Sequence, residues 1–180
     1  METHQLVSHP AAPPLALTGI EARISGIADG WLSLRWKLSG SGRVVFPALA
    51  GKGRADGLWR ETCFELFVAP GEGAAYCEFN LSPSEQWAAY DFTSYRSGMS
   101  ERAAAREPVC ALRQGGNTAI FDAAIPLASL PGLPWRYGLS AVIEEEGGQV
   151  SYWALGHPPG KPDFHAPACF ACKLAAPDLA

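Results

Sequence analysis

The stretch "ALGHPPGKPDFHAPACF" (Ala154 to Phe170) holds two of the four histidines, four prolines and an aspartate. Asp163 and His165 are two apart, so in an extended segment both face the same way. Joined by His157 they could bind one ion, and either histidine could serve as an axial ligand to haem. The plainer reading is a loop in which His165 donates a hydrogen bond to a backbone carbonyl. Four prolines fix φ and lower the entropy lost on ordering the segment. A rigid connector that forms one wall of a site is the expectation, ahead of an ion clip.

Carboxylates offer a second kind of chemistry. Glu65 and Glu78 each sit in a strongly apolar run, "ETCFELFVAP" and "AAYCEFNLS". Burial there would desolvate an acid and raise its pKa, as a glycoside-cleaving pair requires. The competing reading puts each on an open sheet face or against an arginine. Glu144, Glu145 and Glu146 lead into the Gly147-Gly148 turn and read as a solvated charge cluster. "CFAC" (Cys169 to Cys172) has redox or zinc spacing, but within a strand residues three apart point to opposite faces and cannot share an ion. The sequence contains no G-x-S-x-G elbow, P-loop, G-x-G-x-x-G or H-E-x-x-H motif.

The elements that must position these groups are strands. In "GWLSLRWKLSG" Leu32, Leu34, Trp36 and Leu38 share one face, with Ser33, Arg35 and Lys37 opposite. In "AAYCEFNLS" Cys77, Phe79 and Leu81 face one way, and Tyr76, Glu78 and Asn80 the other. "ETCFELFVAP" is apolar on both faces apart from Glu61 and Glu65, as a central strand would be. "EEEGGQVSYW" signals a hairpin with positive φ at the glycines. Only Gly98 to Glu107 could form a short helix. About ten strands without interleaved helices predict an all-β, single-domain antiparallel sandwich of jelly-roll type. Residues 1 to 15 read as an extended lead-in that wraps a sheet edge.

Composition narrows the function classes. The chain has 180 residues, 48% of them hydrophobic and 18% charged, with a net charge of -4. That composition suits a globular core and, lacking a basic stripe, argues against a nucleic-acid groove. No apolar run reaches the length of a membrane span, and the N-terminus does not read as a secretion signal, so a cytoplasmic location is expected. Five irregularly spaced cysteines do not make a secreted disulfide framework.

Three segments, "DGLWRETCFELFVAP", "AYCEFNLSPSEQWAAYDFTSYRSGM" and "SYWALGHPPGKPDFHAPACFACKL", together resemble the bacterial DOMON-like proteins, akin to the family 9 carbohydrate-binding modules. The resemblance implies a β-sandwich with a ligand site on or beside one sheet, in a superfamily whose members bind sugars or haem. By position, Trp59 matches the first of two sugar-clamping tryptophans, with Arg60 beside it, and Trp153 is the candidate for the second. Glu78 and Asn80 fall in the strand that matches the family's Y-x-E-F pattern. A sugar ring has apolar C–H faces and a polar rim, which suits an aromatic wall bordered by charged groups. Tyr95, Arg96 and His165 could extend that border. The leading expectation is a non-catalytic domain that binds a sugar or glycan fragment, needing no cofactor. The alternatives are a haem or metal protein using His165 or His157, and an enzyme acting through Glu65 or Glu78.

Overall fold

The alternation seen in the sequence is kept strand by strand in the computed structural model, which describes residues 2–176. Strand β3 (Trp31–Ser39) buries Leu32, Leu34, Trp36 and Leu38 and turns the residues between them outward. It lies between β2 (Gly19–Ala28) and β10 (Thr118–Pro126), and β10 continues to β9 (Val109–Gln114). A second array centres on β5 (Cys63–Pro70), flanked by β6 (Tyr76–Leu81) and β11 (Trp135–Glu145). Beyond them lie β7 (Gln86–Phe92) and β12 (Gln149–Ala154).

The lead-in joins the two arrays. Strand β1 (His4–Ser8) sets Leu6 opposite Ile20 of β2, then Val7 and Ser8 opposite Ala154 and Trp153 of β12. Segment 1 to 15 therefore supplies a strand in the middle of the hydrogen-bonded path instead of wrapping an edge. The result is one continuous curled sheet of 13 strands, with short β4 (Gly53–Arg54), β8 (Ser100–Glu101) and β13 (Cys172–Leu174) at its margins. The ladder between β4 and β7 is parallel. The expected all-β architecture is present, and in place of an antiparallel sandwich of about ten strands the described residues form one mixed sheet that curls over its own core. Among the described residues there is no α-helix, and residues 98–107 form a loop around β8.

That core is dry and aromatic at its centre. Trp36 of β3 lies 5.4 Å from Phe64 of β5, and Phe64 stacks on Phe121 of β10 at 4.3 Å between ring centroids. The inner faces of the two arrays thus meet across a shared aromatic layer. The second array differs from the first in being buried on its other face as well. Seven consecutive residues of β5 and all six of β6 are buried. The cover is the segment after β12, whose 3₁₀ turn (Pro167–Cys169) packs on β11. Gly138 permits that contact, since a Cβ there would stand 2.5 Å from the Cys169 carbonyl oxygen.

Glu145 departs from expectation most sharply. It is not solvated: its exposure is 0%. Its carboxylate accepts backbone N–H bonds from Leu15, Ala16 and Leu17 at 2.6, 2.7 and 2.9 Å. The strand alternation that turns Glu144 and Glu146 outward aims Glu145 at the chain entering β2, where three amide donors have no other partner in the sheet. Removing this acceptor strands those amides. Glu145→Ala is expected to cost about 3 kcal/mol in denaturant unfolding and to speed hydrogen exchange at Leu15 to Leu17. Wild-type stability with unchanged exchange would show that the contact holds nothing in place.

Candidate functional site

The outer face of the second array carries the polar groups. Register sets Glu65 opposite Asn80 on one side and opposite Ser140 on the other, and sets Phe67 opposite Glu78. Glu65, Asn80 and Glu78 therefore project from one face as near neighbours. They floor a cleft of about 610 Å³. Its walls come from Tyr90 and Phe92 of β7, Val142 of β11, Tyr152 of β12, and the segment Lys161 to His165. The proline-rich connector is thus one wall of the cleft.

The floor is short of partners. Asn80 is 1% exposed; its buried amide oxygen has no hydrogen-bond partner in the protein, and its amide nitrogen has none but the neighbouring Glu78 carboxyl. Ser140 donates to Glu65 at 3.3 Å. Burial pushes the Glu65 carboxyl well above the usual range, and the Glu78 charge pushes it further. Burial also raises Glu78, to about 7, even though the Asn80 amide and the Arg96 charge ease its ionisation. Two adjacent carboxyls shielded from water, with no cation in direct contact, hold on to protons.

His165 is fixed by its neighbours. The Arg96 backbone N–H donates to the Tyr76 hydroxyl at 3.1 Å, and that hydroxyl lies 2.8 Å from His165 Nδ1. Tyr76 thus fixes the ring through Nδ1, and the other ring nitrogen, Nε2, faces Glu78 at 3.7 Å. Burial lowers His165 to about 4, and the nearby Arg96 charge adds to the fall. At neutral pH the imidazole is therefore uncharged, and its approach to Glu78 is not an ion pair. Asp163 accepts from Arg96 at 2.7 and 3.2 Å, from the Tyr95 hydroxyl and from the His165 amide. Burial tends to raise Asp163, but the bonds from Tyr95 and Arg96 outweigh it and hold its pKa below the usual value.

The residues expected at a site divide into three groups. Trp59, Glu78, Asn80, Arg96 and His165 border the cleft. Trp59 sits on a 3₁₀ turn (Leu58–Arg60) in which Leu58 packs inward, leaving the indole 52% exposed at the lip. Arg60 lies over that indole at 5.4 Å, and Tyr95 acts through Asp163; both stand outside the cleft lining. Trp153 is elsewhere. It is 5% exposed in the core, its Nε1 donating to Ser151. Alternation along β12 turns Trp153 inward and Tyr152 to the cleft, so a second clamping indole at position 153 is excluded.

Glu65, Tyr152 and Asp163 are the site groups that a tryptophan-centred reading passes over. Cross-strand register is the signal for the first, and the alternation of "VSYWAL" for the second. His157 donates to the Val7 carbonyl at 2.8 Å and packs against His9, away from the cleft. Among the described residues no three His, Cys, Asp or Glu side chains gather as metal ligands, so His157, Asp163 and His165 do not form an ion site. Cys169 ends a turn and bonds to the Gly156 and Asp163 carbonyls, while Cys172 starts β13 near His4; both are free thiols.

No family profile matches the sequence, and no curated protein matches it. Among solved structures, a Bacteroides uniformis protein provisionally described as carbohydrate-binding superposes with a TM-score of 0.65 at 16% identity, covering 97% of this chain and 85% of that one. A family 9 carbohydrate-binding module from Caldicellulosiruptor kristjanssonii, solved with glucose, reaches 0.45 at 13% identity over 79% of this chain and 69% of that one. The first likeness establishes a shared fold.

The raised Glu78 carboxyl makes stability depend on pH in a defined direction. A folded-state value of about 7 against an ordinary 4.5 means that the native protein holds this proton more tightly than the unfolded chain. The stabilisation linked to it is complete below about pH 4.5 and is lost as pH rises through about 7. Glu78→Gln keeps the shape without the charge. It is expected to match wild type near pH 4.5 and to exceed it by about 1–3 kcal/mol at pH 8. Equal unfolding free energies at pH 8 would mean that this carboxyl is hydrated.

Proposed function

We propose that the protein is a non-catalytic binding domain for a small sugar or glycan fragment, held in the cleft between the floor carboxyls and the aromatic lip. The observation that carries this reading is the Asn80 amide oxygen: buried on the floor of an aromatic-walled cleft beside Glu78, it has no hydrogen-bond partner in the protein. Leaving such a group unpaired costs about 1–3 kcal/mol, which a ligand bearing a hydrogen-bond donor would recover. A sugar hydroxyl is one. Trp59, Tyr90 and Tyr152 supply flat apolar surface for the ring's C–H faces. The sandwich-like curl of the sheet, shared with a protein provisionally described as carbohydrate-binding, supports the same reading.

The Glu65 and Glu78 pair, with Glu78 poised near neutrality, also fits acid catalysis of glycoside cleavage. A hydrolytic pair must flank the scissile bond, one carboxyl on either side. These two rise from adjacent strands of one floor and meet a ligand from the same side, which favours holding over cutting.

Trp59 gives the direct test. Covering about 100 Å² of ring with one indole is worth about 2.5 kcal/mol gross. Calorimetric titration with a panel of monosaccharides is expected to give millimolar to micromolar binding for at least one. Trp59→Ala should weaken that binding about tenfold or more while melting at the wild-type temperature. Absence of heat for every sugar, or full affinity in Trp59→Ala, would overturn the proposal.

A further inference from the structure

The deep half of the cleft holds two buried acids with no cation against them, and a neutral sugar does not supply one. Glu65 and Glu78 are 3% and 6% exposed and, among the described residues, neither contacts a positive charge. Arg96 is committed to Asp163 through two nitrogens. His165 is uncharged at neutral pH, held by Tyr76 on one nitrogen and facing Glu78 with the other. Lys161 is exposed at the mouth. Cys63 and Tyr90, the other titratable groups beside the pair, carry no positive charge in either state. The floor thus offers two carboxyls and the free Asn80 amide oxygen, walled by the aromatic side chains of Tyr90, Phe92 and Phe164.

Building on the sugar-binding reading, we infer that the ligand is a sugar bearing a protonated amine, whose ammonium group sits between Glu65 and Glu78 with Asn80 Oδ1 as its third acceptor. The stoichiometry fits: an ammonium has three N–H donors and no acceptor, and the floor supplies three acceptors in one place. A hydroxyl has a single proton to donate and leaves at least one buried carboxyl unpaired. The aromatic walls add cation–π attraction in a desolvated pocket. Seating the cation also changes the proton count. The empty pair retains a proton; the arriving ammonium replaces it, so up to one proton per ligand passes to solvent.

Calorimetry at pH 7 with glucosamine, glucose and N-acetylglucosamine separates this inference from the reading beneath it. Glucosamine carries the charge, N-acetylation removes it, and glucose lacks the nitrogen. Glucosamine is expected to bind about tenfold or more tightly than either neutral sugar. Repeating the titration in buffers of different ionisation enthalpy should report proton release. In Glu78→Gln the preference for glucosamine should collapse to about threefold or less. The three-sugar comparison on the unaltered protein decides the matter even if that variant does not fold. Neutral sugars binding as well as glucosamine would overturn the amine and leave sugar binding standing. No binding by any of the three would overturn both.

Discussion

A sheet buried on both faces is the constraint from which the rest of this molecule follows. The inner faces of β5, β6 and β11 close the hydrophobic core, and the segment between β12 and β13 covers much of their outer faces. Period-2 alternation still operates under that cover. It therefore buries Glu65, Glu78 and Asn80 at the bottom of a cleft, where a carboxyl keeps its proton and a polar atom without a partner is costly. An open outer face would have made the same three residues ordinary solvated groups.

The cover is held by contacts that serve the cleft as well. Gly138 lets the Pro167–Cys169 turn lie against the sheet, and Cys169 bonds back to Gly156 and Asp163. Asp163 then ties Arg96, Tyr95 and the backbone of His165 together. Tyr76 completes the link by joining His165 to the Arg96 backbone. One hydrogen-bonded chain thus runs from the wall to the floor, so the groups facing a ligand are oriented before it arrives. Such preorganisation reduces the entropy lost on binding.

Much of the fold was legible because alternation is a local signal. The faces of β3 and β6 follow directly from their sequences, as does the central place of β5, whereas the tryptophan at the lip was singled out only by the family resemblance. The proline-stiffened stretch reads as a wall for a physical reason, the restricted φ of its prolines, and it is one. Glu145 was not legible as an anchor, because its three amide partners lie about 130 residues away in sequence. Trp153 misled for a different reason. Its chemistry fits a sugar, but one step of register along β12 decides between core and cleft, and "VSYWAL" is bulky at both positions. The pairing of Glu65 with Asn80 and Ser140 is a property of inter-strand register, which a single sequence does not specify.

The central claim is that the buried, unpartnered Asn80 amide oxygen and its neighbouring carboxyls wait for a polar ring. A crystal structure of the protein soaked with the tightest-binding sugar of a small panel tests it most directly. The account predicts a sugar ring against the Trp59 indole, with polar substituents within about 3 Å of Asn80 and of a floor carboxyl. A cleft that stays empty at saturating sugar, with the Asn80 amide oxygen bonded to the protein itself, would contradict it.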